Sequence, residues 1–264
     1  MYKRRALFFP ITGKTVSSLS GFATVKPPLL SYPEEMEEFF KDSVRSYQFT
    51  EVLMMSITEC LLMGRIGLLI DAPRSSGMPY ICTYTAENIV NWKVDEEKRP
   101  IWVLLHEVVY EEDVKELFAY NIRHQYRLLS IENGFYTHTL YDEELNRLHS
   151  ITPLFTGKAI NFIPFYCLGS TGVHYEVDRS PMLDIATINI SHYMTSADLE
   201  WGRHFTGLPT PVVSGVDGST SLKIGGTSAW ILPQPEAKAQ YLEFTGLGLS
   251  SLEKAMTEKI SLMA

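Results

Sequence analysis

An α+β fold is predicted from three features of the sequence. Helical periods precede Gly64, strand patterns fill the stretch from Pro79 to Phe165, and one long helical period opens at Ser180-Pro181. Apolar residues make up 45% of the 264, enough for a core of ordinary size in one large domain or two modest ones.

The elements follow in order. Residues 1–30 mix apolar and small residues, close at Pro27-Pro28, and receive no element. Ser31 and Glu34 have the spacing of a capping box, and Met36, Phe39, Phe40 and Val44 then share a helical face. A second helix carries Phe49, Val52, Leu53, Ser56, Ile57, Cys60 and Leu61, and Gly64 suits the left-handed position that ends it. Ile66–Ile70 reads as a buried strand. Ile101–Tyr110 is rich in β-branched and aromatic residues, and His124–Ile131 and Phe135–Tyr141 flank Asn133-Gly134, the strongest local hairpin signal. Ala159–Cys167 reads as one more strand, so a largely antiparallel sheet is expected beside the two helices.

The long helix starts with Pro181 in its first turn and Asp184 complementing its dipole. It runs to Phe205, roughly 37 Å at 1.5 Å per residue, and Pro209 and Pro211 end it. Pro211–Phe244 reads as short strands and turns. Ser250 and Glu253 form a second capping-box pattern, after which Leu252, Met256, Ile260 and Met263 share a face. That last pattern stops without a cap, so the chain is expected to be a piece of a longer protein.

Composition narrows the function. The net charge of -8 argues against a protein that grips nucleic acid through its phosphates, though not against one that DNA slides past. The longest apolar run, Leu61–Ile70, is broken by Gly64, Arg65 and Gly67, so no membrane span is expected. Three cysteines without a C-x-x-C pair point to a reducing setting.

Motifs for chemistry are incomplete. Gly13-Lys14-Thr15 resembles the end of a phosphate loop, but Phe8 occupies the position of the required first glycine. Gly246-Leu247-Gly248 lacks the third glycine of a dinucleotide fingerprint. No serine stands in G-x-S-x-G, and the seven histidines show no tight ligand spacing. Cys167 lies in an apolar strand and reads as core. No enzymatic activity, cofactor or metal is expected.

Placed at 100° per residue, the long helix shows two apolar stripes. One holds Met182, Ala186, Ile190, Tyr193, Ala197 and Trp201; the other, narrower, holds Ile185, Ile188 and Leu199. Asp184, Thr187, Ser191, Thr195 and Asp198 lie between them on the wider side. A surface helix of a monomer needs one apolar stripe. Two suit either a helix enclosed within one domain or a stave with a neighbour on each side of a closed ring.

Several segments together resemble the portal proteins of tailed bacteriophages, in particular a subgroup that carries a domain of unknown function. They are Tyr2-Lys3-Arg4-Arg5-Ala6 followed by Thr15–Gly21, then Leu61–Asp71, Tyr84–Trp92, Ile163-Pro164-Phe165, Asp184–Tyr193 with Ser196-Ala197-Asp198, and Pro209–Gly215. The resemblance implies an architecture of wing, stem and clip around an axial channel. On that pattern residues 1–178 would be the wing, 179–206 the first stem helix, 207–247 the clip and 248–264 the start of the second stem helix, with the rest of that helix, a tunnel loop and any crown missing.

The resemblance implies a structural subunit of a ring of twelve copies at one capsid vertex, residing in the virion and in the host cytoplasm before assembly. Its implied partners are further copies of itself, the terminase large subunit, capsid and head–tail adaptor proteins, and double-stranded DNA passing non-specifically through the channel, with no membrane. Asp184, Thr187, Ser191, Thr195 and Asp198 would line that channel, and the two apolar stripes would meet neighbouring subunits. Val212, Val213, Leu222, Ile224, Trp230 and Ile231 would form a clip surface facing the terminase. Another virion connector, such as a head–tail adaptor, and an unrecognised hydrolase are the alternatives.

Overall fold

The computed structural model describes residues 6–26, 28–41, 48–71, 79–112, 118–155, 157–207, 210–215, 232, 235–242 and 246–264. The chain divides into two compact units, Thr12–Asp184 and a second made of Met1–Ile11 with Ile185–Ala264. The expected mixture of helix and antiparallel sheet is present.

In the larger unit, helix α1 spans Ile11–Thr24, where the sequence reading had placed no element. Its serines and threonines are poor helix formers, which hid it. Ser20 and Thr58 hydroxyls bond at 3.1 Å, tying α1 to the helix that follows Gln48. Lys14 sits within α1, so Gly13-Lys14-Thr15 forms no phosphate loop. Helix α2 is the short Glu37–Lys41, preceded by a 3₁₀ turn whose N-cap is Pro33, so the Ser31 capping box does not form. Phe40 stacks on Tyr32 and meets Phe49 edge-on. Val44 lies outside the described residues.

Helix α3 spans Phe49–Met63. Its N-terminus is held by the Glu51 carboxylate, which accepts from the Gln48 backbone N–H at 2.9 Å. Gly64 ends it at φ 84°, as expected, with its N–H on the Cys60 carbonyl. A Cβ there would collide with the Asp178 carbonyl. The Ser180 hydroxyl donates to the Leu62 carbonyl at 2.7 Å and accepts from the Met182 N–H, so one side chain serves both the end of α3 and the turn before the long helix.

Strand β1 (Arg65–Asp71) pairs antiparallel with β2 (Tyr80–Thr85) on one side and, on the other, with a strand from much later in the chain, Phe165–Gly169. Strands β3 (Ile89–Val94), β4 (Pro100–Glu112), β5 (Tyr120–Glu132), β6 (Phe135–Tyr141) and β7 (Arg147–Ile151) form a five-stranded antiparallel meander. The β5–β6 turn is the predicted Asn133-Gly134 hairpin, with φ of 53° and 83° as a type I′ turn requires. Ala159–Cys167 is not one strand. Leu154–Phe155 (β8) and Lys158–Ala159 (β9) form a small ribbon, and β10 begins only at Phe165. Leu69, Tyr84, Val103, Leu105, Leu129, Tyr136 and Phe165 from both sheets form one buried core.

In the smaller unit, α4 spans Leu183–Thr206 and α5 spans Leu247–Met263. Between them β11 (Thr210–Ser214) pairs antiparallel with β12 (Lys238–Leu242). The Ser250–Glu253 capping box does not form: α5 starts three residues earlier, behind Gly246 at φ 67°.

Candidate assembly interface

Helices α4 and α5 are packed together by specific contacts. Gly202 leaves room for the Leu249 side chain, which a Cβ would strike. Arg203 joins Glu200 on its own helix and Glu253 on α5 at 3.0 and 2.8 Å. Nearer the middle of α4, Lys259 reaches back from α5, and its ammonium donates to the Ser191 carbonyl at 3.1 Å and to the Thr195 hydroxyl. Sequence reading missed this lysine because nothing local marks a side chain that serves another helix.

The buried residues of α4 are Asn189, His192, Thr195, Ser196 and Leu199. A largely polar face is therefore the covered one, opposite to what binary patterning leads one to expect. Ile185 and Ile188, from the narrower predicted stripe, are half-buried beside it. Leu199 and Met182 are 4% and 6% exposed in the single chain. Of the wider stripe, Ala186, Tyr193 and Ala197 are half-buried, while Ile190 and Trp201 are 53% and 37% exposed. Leu183, Met194 and Phe205, at 46%, 62% and 46%, extend this exposed edge along the helix. Trp201 and Phe205 pack edge-on, one turn apart.

The predicted polar stripe does not remain whole. Asp184, Thr187 and Asp198 are exposed and Ser191 is half-buried. Thr195 is buried in the single chain, its hydroxyl accepting from Lys259. Asp184 is ion-paired with Arg179 at the surface. Val212 and Val213 are half-buried in β11, opposite Gln240 and Ala239. Leu222, Ile224, Trp230 and Ile231 lie outside the described residues.

In the larger unit, one group has the members of a nucleophilic triad. The Thr171 hydroxyl lies 2.9 Å from His174 Nε2, and Asp178 is close by. The order is wrong for activation. Asp178 accepts from the Thr171 hydroxyl, the Thr171 backbone N–H and the Ser170 hydroxyl, and lies on the Nε2 side of His174, while Nδ1 has no hydrogen-bond partner among the described residues to orient it. Hydrogen bonds from Thr171, above all its backbone N–H, hold the Asp178 carboxyl below its usual range, as befits a loop latch. A groove between α3 and the loop after β10 is lined by Leu53, Ile57, Leu61, Leu168 and Val173. Burial pushes the Cys60 thiol at its edge upward, away from the reactive thiolate. Cys167 is buried in the core and its thiol is pushed up likewise. Among the described residues no group of three or more His, Cys, Asp or Glu could hold a metal ion, and no helix is long and apolar enough to cross a membrane.

No curated protein matches the sequence. Three solved structures of gene transfer agent (GTA) particles contain similar chains. One, from the neck of an empty particle computed with C6 symmetry, is 13% identical with a TM-score of 0.47 over 97% of this chain and 64% of that one. Another, from the virion of a native particle, is 13% identical with a TM-score of 0.45, covering 97% and 68%. The third, from the neck of a native particle computed with C12 symmetry, is 14% identical with a TM-score of 0.46, covering 94% and 63%. The chain thus spans less than two thirds of the length of the first and third. Residues 181–264, which hold α4, the β11–β12 ribbon and α5, match a family described as a domain of unknown function (DUF4055).

Proposed function

We propose that the chain is a structural subunit of a virion connector, and specifically of a portal ring at one capsid vertex. In this reading the ring holds twelve copies of the full-length protein. Double-stranded DNA enters and leaves through its axis, the terminase large subunit docks on the β11–β12 side, and capsid and head–tail adaptor proteins contact the remainder. The subunit has no catalytic activity of its own.

The exposed apolar edge of α4 carries the proposal. Leu183, Ile190, Met194, Trp201 and Phe205 offer water a stripe of large side chains along a 24-residue helix. Monomeric proteins rarely expose contiguous apolar surface of that kind. A head-to-tail neighbour, repeated around an axis, covers it at every copy and closes the set. The order helix, ribbon, helix favours a portal over a head–tail adaptor.

Electron microscopy of the longer protein that contains this segment tests the reading. Rings with a central hole are expected. Ile190→Asp and Trp201→Asp should abolish them while leaving a folded monomer, since exposed positions tolerate substitution within about 0.5 kcal/mol. Rings that survive both substitutions, or a wild-type protein that stays monomeric, would overturn it.

A further inference from the structure

His192 is 3% exposed, yet neither ring nitrogen has a hydrogen-bond partner among the described residues. The N-terminal segment lies against it. Asn189, three residues earlier on α4, donates from Nδ2 to the Phe9 carbonyl at 2.8 Å, and the Phe9 ring lies 6.3 Å from the imidazole. Phe8 meets Tyr193 edge-on at 5.7 Å. Two successive residues of the N-terminal segment are thus fastened to α4 beside this histidine.

The ionisable surroundings are simple. From α5 the charged group is Lys259, held on the Ser191 carbonyl and the Thr195 hydroxyl. Along α4 the buried neighbours Asn189, Thr195 and Ser196 are neutral, and Leu7–Pro10 brings no ionisable side chain. Burial, and secondarily the Lys259 charge, hold the imidazole below its ordinary range. A neutral ring is tolerated there. A protonated ring would bury two N–H donors without acceptors and set a second cation beside the first, with no carboxylate paired to either among the described residues.

We propose that His192 is an acid-sensitive latch: taking up a proton drives Leu7–Pro10 off α4 and uncovers the buried polar face of that helix. The device works within one chain and does not depend on ring assembly.

Hydrogen exchange of the full chain between pH 7.5 and pH 5, corrected for the intrinsic rate, tests it. Wild-type peptides covering residues 6–11 and 186–196 should lose protection as the pH falls, while β6 stays protected until a lower pH. His192→Phe should keep both peptides protected across the range. Lys259→Met removes the neighbouring cation, makes a protonated ring easier to tolerate in the closed state, and should move the wild-type midpoint to lower pH. Protection in the wild type that ignores pH, loss in His192→Phe at the wild-type midpoint, or a midpoint unmoved by Lys259→Met would each overturn the latch.

Discussion

Polar side chains inside the larger unit decide more than their number suggests. Arg127 on β5 reaches Asp71 at the end of β1 and Glu107 on β4, at 2.7 and 2.8 Å. Glu107 also accepts from Tyr84 and Gln125. Burial disfavours the Arg127 charge, and the Glu107 and Asp71 carboxylates offset it, so the guanidinium stays ionised between the two sheets. Removing one partner from such a cluster leaves an uncompensated buried charge, which fixes the pairing of the sheets. His138 on β6 is the titrating member of this neighbourhood. Burial, then the Arg127 charge, lowers its pKa, so the unfolded chain binds this proton more tightly than the folded one. Its contribution is fully present above the unfolded value of about 6.5 and is lost as the pH falls below it. Denaturant unfolding from pH 7.5 to 5 should show stability declining with acid, and His138→Gln should flatten that decline. An unchanged slope would place the acid sensitivity elsewhere. Arg65 shows the same contrast between pattern and place. It interrupts an apolar run in the sequence, yet it is 8% exposed, lies 4.5 Å over the Trp92 ring and donates to the Ala86 and Ile89 carbonyls.

Elements are placed by small residues where two backbones or a ring must come close. Gly67 is buried in the middle of β1, opposite Cys167, and its missing side chain is filled by the Phe165 ring from the neighbouring strand. A Cβ there would overlap that ring and crowd Ile89. Gly67→Ala should therefore destabilise the protein by about 1–3 kcal/mol, the usual range for overpacking a filled core. Chemical denaturation checks it, and a neutral result would mean that Phe165 can turn aside without cost. The same logic explains why the meander was easier to foresee than β1's partner on β10. A hairpin is encoded by the two residues that turn it, whereas β2, the whole meander and the β8–β9 ribbon lie between β1 and β10 in the sequence.

At the scale of the whole molecule the proposed channel wall can be tested on a single carboxylate. Asp198 is exposed on α4 and has no ion pair among the described residues, whereas Asp184 is paired with Arg179. Repeated around a ring, Asp198 would give a wall that repels phosphate, and a lysine in its place would add one phosphate contact per copy. Asp198→Lys in the assembled full-length protein should slow DNA packaging with rings intact, and the defect should shrink as salt is raised. Packaging at the normal rate would show that Asp198 faces away from the DNA path.

The sequence by itself determined what depends on neighbours along the chain. Gly64 stops α3 because a left-handed residue is needed there. Asn133-Gly134 turns β5 into β6 because both positions require positive φ, and the spacing of apolar residues shows that α4 is long. Tertiary structure alone decided which face of that helix is covered. Asn189, His192 and Thr195 belong to neither apolar stripe of the sequence, but Phe9 reaches the first two and Lys259 the third from opposite ends of the sequence, and an apolar edge is left in water instead. Periodicity records how apolar a face is. Burial depends on which surface arrives to cover it, and those surfaces come from segments that no local window contains.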